Sequence, residues 1–270
     1  RRETGIVFVQ EKSEKDNYIT GSAFDGEKEC FFQPFYSTDK RCIWGAEALF
    51  RLKDESGSYY NMDDLVAKAE EEGWVRRIDT WVFEETCRRM SKFRALGLKR
   101  ININLSPATC QDPDIVKNMQ RIMKEYSISR SEVCMEITEM CKVKDNEHFT
   151  TMVDQLVHYG IRLALDDFGK GESNLIRLMK IPFSTLKIDK EMVWAMDANQ
   201  MAGRLIEYII SFAHSNGIQV TAEGVETLDQ ARELASYGCD YLQGYYISPP
   251  VGYPALIDFM QAQGHRDFLK

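Results

Sequence analysis

Seven short apolar runs in this chain each carry one polar side chain at or near the C-terminal end, and helical stretches separate nearly all of them. The seven are Glu47, Asn104, Glu136, Asp166, Lys187, Glu223 and Gln243. A lone charge in a strand is ordinarily a solvated side chain. The same placement on successive strands demands a common cause. Strand–helix alternation of this kind builds a (β/α)8 TIM-like barrel, whose active site gathers on the face where the strands end. The expected fold class is therefore α/β, with about eight strands around one barrel.

The runs expected to be strands are 30–36, 43–51, 101–106, 133–137, 161–167, 186–189, 219–223 and 241–243. Helical spacing of apolar residues predicts helices over 62–72, 78–93, 112–126, 148–158, 204–215 and 228–237. A polar, charge-rich stretch at 1–29, with one candidate strand at 6–9, reads as an N-terminal extension or linker. Residues 30–264 read as the catalytic-sized domain and 265–270 as a tail.

A chain of 270 residues is an ordinary size for one barrel. No run of 18 apolar residues occurs, so no spanning helix is expected. The first residue is Arg1, which suggests a piece of a longer protein. A net charge of −8 argues against DNA or RNA polymers as partners, so an anionic ligand needs local cations or metals. The seven cysteines are odd in number and lack any CxxC pair, which suits small buried hydrophobes in a reducing cytoplasm. The four histidines fall on predicted helices or the tail, which speaks against a His-rich metal centre or a Ser-His triad.

The chemistry concentrates around Ile161–Gly171, an apolar run that stops on Asp166 and Asp167. Adjacent carboxylates at the mouth of an apolar strand repel each other and lose solvation unless a cation lies between them. Glu47, Asn104, Glu136 and Asp166 would form an all-oxygen site, and hard donors of that kind select Mg2+ or Mn2+. Asp167 offers a place for a second ion bridged by Asp166, and two ions about 3.5–4 Å apart can clamp a phosphoryl displacement. Lys187 is placed to orient a nucleophilic water and take part in its deprotonation. Arg51, on the strand face of Glu47, is placed to hold a phosphate by a forked contact. Gly169-Lys170-Gly171 lacks the third glycine of a dinucleotide fingerprint, and neither a GxSxG elbow nor a P-loop occurs. Strand-end residues alone leave an enolase-type barrel open beside a phosphodiesterase.

Taken together, the segments Glu47-Ala48-Leu49, Asn104-Leu105-Ser106, Glu136-Ile137-Thr138-Glu139, Asp166-Asp167-Phe168-Gly169, Lys187-Ile188-Asp189, Ala222-Glu223-Gly224-Val225-Glu226 and Gln243-Gly244-Tyr245 resemble the EAL-domain family of cyclic-di-GMP phosphodiesterases. The resemblance runs in family order over roughly residues 30–260. It implies a barrel whose first strand is antiparallel to the rest, and metal-dependent hydrolysis of cyclic-di-GMP to linear pGpG in bacterial second-messenger signalling. By the resemblance, Glu47, Asn104, Glu136 and Asp166 hold a first ion, and Asp166 and Asp167 hold a second. Lys187 holds the attacking water, and Glu223 and Gln243 complete the catalytic set. Gln33, Leu49, Arg51, Asp189 and Gln243 match substrate-contacting positions. Glu139 matches the anchor of the loop after the aspartate pair, and Glu226 matches support for Glu223. A homodimer and flanking sensory or GGDEF domains are implied as well. Lys170, Glu172 and Asn174 depart from the family's loop pattern, and Leu52 stands where many members carry Trp. The other function to weigh is a binding module that senses cyclic-di-GMP or docks a protein partner without cleavage.

Overall fold

Side-chain alternation decides how this chain closes. On the third strand, Ile101 and Ile103 are buried against the helical layer, while Arg100, Asn102 and Asn104 take the other face and point inward. A strand buried on both faces needs neighbours on both edges, and a closed barrel supplies them.

The structure, a computed structural model, describes residues 20–138, 147–170, 178 and 180–270. Its strands are β1 (Lys28–Ser37), β2 (Cys42–Leu52), β3 (Arg100–Asn104), β4 (Val133–Thr138), β5 (Arg162–Phe168), β6 (Thr185–Ile188), β7 (Gln219–Ala222), β8 (Tyr241–Gln243) and β9 (Val251–Gly252). Around them lie α1 (Met62–Glu71), α2 (Val75–Ala95), α3 (Ile115–Glu125), α4 (Glu147–Tyr159), α5 (Lys190–Ala195), α6 (Gln200–Ser215), α7 (Leu228–Ser236) and α8 (Tyr253–Gln263).

Strands β2 through β8 pair in chain order and in parallel. β1 closes the ring by pairing with both β2 and β8, and it runs antiparallel to each. The expected (β/α)8 barrel with a reversed first strand is thus present. β9 adds a two-residue pairing on β1, too short to leave a periodic trace in sequence. Caps fix the helix starts near the catalytic rim: Asp189 accepts from the Glu191 N–H at α5, and Thr227 and Gln230 form a reciprocal box at α7.

Apolar side chains near both ends of the described chain pack onto the barrel. Phe24 is buried, stacked on Phe50 and beside Trp74, and β1 begins at Lys28, so residues 21–29 belong to the barrel. At the other end, Phe268 is buried against Tyr36 and Tyr246, and Tyr36 Oη donates to Asp267 at 2.8 Å. Apolar burial, invisible in such short segments, decides both. The candidate strand at 6–9 lies outside the described residues, as do Glu139, Glu172 and Asn174. No helix among the described residues is long and apolar enough to cross a membrane. The cysteines among the described residues are free, and all but Cys42 are buried.

Candidate active site

At the C-terminal ends of the strands, carboxylates from four of them converge on one ammonium. Lys187, on β6 and 1 % exposed, has its Nζ 2.8 Å from Glu223, 2.9 Å from Glu136, 3.0 Å from Asp166 and 3.4 Å from Glu47. Two amides tie down Glu47: Asn104 Nδ2 donates to Oε1 at 2.8 Å, and Gln243 Nε2 donates to Oε2 at 2.7 Å. Glu136 is held from the other side by Asn102 Nδ2, 2.8 Å from its Oε1. The four residues expected to share an ion therefore face one another.

Adjacent residues on a regular strand point to opposite faces, so Asp166 and Asp167 should diverge. They do not, because β5 is irregular where it ends. Its register against β6 slips between Leu165 and Phe168, and Asp167 adopts φ +57, the left-handed region rare for a non-glycine residue. As a result, carboxylate oxygens of Asp166, Asp167 and Glu223 all come within 4.8 Å of one another.

Crowding acids in this way disturbs their proton equilibria. Burial, reinforced by Asp166 and Glu47, pushes Glu223 up to about 8. Burial and the charges of Glu47, Asp166 and Glu223 hold Glu136 well above the usual carboxylate range. Burial and Asp166 also raise Asp167. Glu47 goes the other way: burial disfavours its charge, but Lys187 and the amides of Gln243 and Asn104 outweigh that effect and keep it low. For Lys187, burial is overcome by Asp166, Glu136, Glu223 and Glu47, so it stays an ammonium. As an ammonium, Lys187 can orient a water by donating to it.

A hard divalent cation suits this donor set. Gln243 Oε1 is a buried oxygen without a hydrogen-bond donor among the described residues, and Asn104 donates through Nδ2, leaving its Oδ1 available. The acids in excess of the single ammonium supply the charge that such an ion neutralises.

Beside the cup lies a cavity of about 350 Å3, walled by Gln33, Leu49, Lys190, Trp194, Gly224 and Tyr245, with Glu47, Glu223 and Gln243 at its inner end. Gln33 bridges to Ser248 O and accepts from Gln243, so the wall and the cup are one network. Gly224 takes φ +65, and a Cβ there would lie 2.3 Å from Lys190 Cβ, so glycine permits α5 to approach.

Arg51 and Asp189 stand outside the cavity lining, and Glu226 lies within it. The Arg51 guanidinium donates to Phe50 O at 2.7 Å and covers the Phe31 ring, outside the cavity lining, because alternation leaves it beyond Leu49 at the rim. The Asp189 carboxylate is buried and occupied as the cap of α5. Glu226 lines the cavity, but its backbone N–H bonds to Gln230 and no hydrogen bond joins it to Glu223 among the described residues. Lys190 and Trp194 are cavity residues that no motif reading singled out, and Tyr245 was quoted in a motif without a role. Asn102 was legible in principle, since it shares the inward face of β3 with Asn104.

Comparison with known proteins agrees with this geometry. The family model described as the EAL domain matches residues 23–250. The probable cyclic di-GMP phosphodiesterase PdeI of Escherichia coli is 32% identical over 237 residues, 85% of this chain and 30% of that protein. Among solved structures, the EAL enzyme Bd1971 in its cAMP- and cyclic-di-GMP-bound form superposes with a TM-score of 0.85 at 25% identity, covering 91% of this chain and 68% of that one. The PaMucR phosphodiesterase in complex with c-di-GMP gives a TM-score of 0.78 at 27% identity, covering 85% of this chain and 94% of that one. The chain thus spans less than a third of its curated relative's length. With the barrel, its reversed first strand and the convergent acids in place, the chain belongs to the EAL domain family.

Proposed function

We propose that this domain hydrolyses cyclic-di-GMP to linear pGpG, using Mg2+ or Mn2+. The observation that carries the reading is the convergence of Glu47, Glu136, Asp166 and Glu223 on Lys187, with a cavity opening beside them. PdeI and PaMucR, named for this activity or this ligand, support the choice of substrate.

Glu47, Asn104, Glu136 and Asp166 would hold one ion, and Asp166, Asp167 and Glu223 a second. When bound, such ions supply Lewis acidity and charge neutralisation at the scissile phosphodiester. The remaining work belongs to the protein. Lys187, fixed by its carboxylates, donates to the attacking water and fixes its approach. Glu223 is the neighbouring carboxylate able to accept the water's proton. Gln33, Leu49 and Tyr245 wall the space for the nucleotide, and Trp194, donating to Gly224 O at 2.9 Å, holds α5 against it. Arg51 at the rim reaches a phosphate only by leaving the Phe50 carbonyl.

The test is turnover of cyclic-di-GMP by the purified domain with Mg2+ or Mn2+, followed by product separation. Tight binding with no turnover would make the domain a nucleotide sensor and end the hydrolytic reading. The same proposal extends to assembly. Met201, Leu205 and Tyr208 form an exposed apolar stripe on one face of α6, with Trp194 also exposed on α5. We read that stripe as the contact with a second copy, testable by light scattering of wild type and Leu205→Glu. In the full protein, located in the cytoplasm, sensory or GGDEF domains would flank this barrel.

A further inference from the structure

The end of the barrel opposite the acids holds a second cavity, of about 510 Å3, where the strands begin. It is lined by Arg94, Lys99, Arg100 and Arg162, by Trp44, and by a single carboxylate, Glu132. Arg94 already engages Glu132 through both its Nε and its Nη2. Among the described residues Arg162 makes a 3.3 Å bond to Gln219 and no ion pair with an acid. In a chain of net charge −8, this is a concentration of positive charge against the prevailing sign.

Arg100 is the informative residue. It is 3 % exposed, yet Nε and Nη2 are buried with no hydrogen-bond partner among the described residues. Its guanidinium lies over the rings of Phe35 and Tyr241, at 5.4 and 5.0 Å. The rings stabilise the charge of the guanidinium but give its Nε–H and Nη2–H no oxygen acceptor. A buried, unpaired guanidinium is costly to a fold, and the cost falls when an oxyanion accepts from the fork. The inward face of β3 carries Arg100, Asn102 and Asn104 in turn, so this site lies about 13 Å along the strand from the catalytic rim.

We propose that this cavity is a binding site for a phosphate-bearing small molecule: inorganic phosphate or a phosphomonoester, its phosphate held by Arg100 with help from Lys99 and Arg162. Guanidinium donors match phosphate geometry, the volume is that of a small-ligand pocket, and Trp44 offers an apolar wall to an ester's organic part. The proposal is independent of hydrolysis at the opposite face.

The experiment is thermal unfolding of the intact chain in EDTA, at constant ionic strength, titrated with inorganic phosphate and separately with phenyl phosphate. EDTA removes any ion-mediated binding at the catalytic cup. Saturable stabilisation, reaching about 5 °C at 100-fold excess over Kd, is expected for at least one probe. The phosphate alone sufficing identifies the free anion as competent; a requirement for phenyl phosphate identifies an ester. Arg100→Met should abolish the response while leaving the ligand-free Tm equal to or above wild type, because it removes an unpaired buried charge. Should Arg100→Met not fold, Lys99→Gln and Arg162→Gln, both at exposed positions, must each weaken the Kd about five-fold. No stabilisation by either probe, an equal rise with sodium chloride, or an unchanged response in the variants would overturn the proposal.

Discussion

Replacing Lys187 with Met tests the physical basis of the cup without reference to catalysis. The change removes the only cation within 3.4 Å of Glu47, Glu136, Asp166 and Glu223 among the described residues, and leaves a side chain of similar length. Stripping one partner from a buried ion pair costs about 3–5 kcal/mol. For a domain of this size that amounts to a fall in Tm of about 10 °C. The loss should depend on pH. At pH 8 the abandoned acids must either repel one another or take up protons against the bulk concentration; at pH 5 they protonate readily. Urea unfolding in EDTA, followed by tryptophan fluorescence, should show the full loss at pH 8 and a clearly smaller one at pH 5. Added Mn2+ should restore part of the stability at pH 8, by supplying the missing positive charge. An equal loss at both pH values would mean that Lys187 contributes packing rather than charge, and the electrostatic account of the site would fail.

Other outcomes follow from the same geometry. Glu47→Ala should lower hydrolysis of cyclic-di-GMP by about 10²-fold or more while the circular dichroism spectrum is kept. Asn102→Ala leaves Glu136 Oε1 without its donor, so Mn2+ titration of activity should show an affinity about 10-fold weaker. For the metal-free wild type, Glu223 binds its proton up to about pH 8 when folded but releases it near its ordinary value of 4.5 when unfolded. The folded state therefore holds more protons in that window, and stability should fall as pH rises from about 5 to 8. Calorimetry should show Mn2+ stabilising more at pH 8 than at pH 6, with proton release on binding. Gly45→Ala would put a Cβ 2.2 Å from Arg100 O and 2.4 Å from the Phe35 ring, at a cost of about 1–3 kcal/mol or more, read as a lower urea midpoint at unchanged m.

The barrel was legible because its strands are buried on both faces and end on polar residues. Glu47, Asn104, Glu136, Asp166, Lys187, Glu223 and Gln243 could be placed on one rim from alternation alone. What alternation cannot supply is departure from itself. Asp167 joins Asp166 only through the bulge at the end of β5, and nothing in Leu165-Asp166-Asp167-Phe168 marks a slipped register. Arg51 followed the rule of alternation, but a neighbouring carbonyl and the Phe31 ring, both set by β1 pairing, claimed its guanidinium. Asp189 was named a substrate-contacting position by the resemblance alone; the start of α5 one residue later gives its carboxylate a capping bond that strand alternation does not reveal. Lys190, Trp194 and Tyr245 come from helix and loop positions whose approach depends on glycine turns, a tertiary outcome that periodicity does not encode.

The reversed direction of β1 also fixes the end of the barrel at which the chain enters it. Lys28 pairs with Leu52, past Glu47 toward the end of β2, so polypeptide leading into β1 is delivered at the catalytic mouth rather than at the barrel's underside. Every other strand is entered from below. A push or pull on the polypeptide just ahead of Lys28 would therefore be felt first at the rim that carries the acids, without passing through the core.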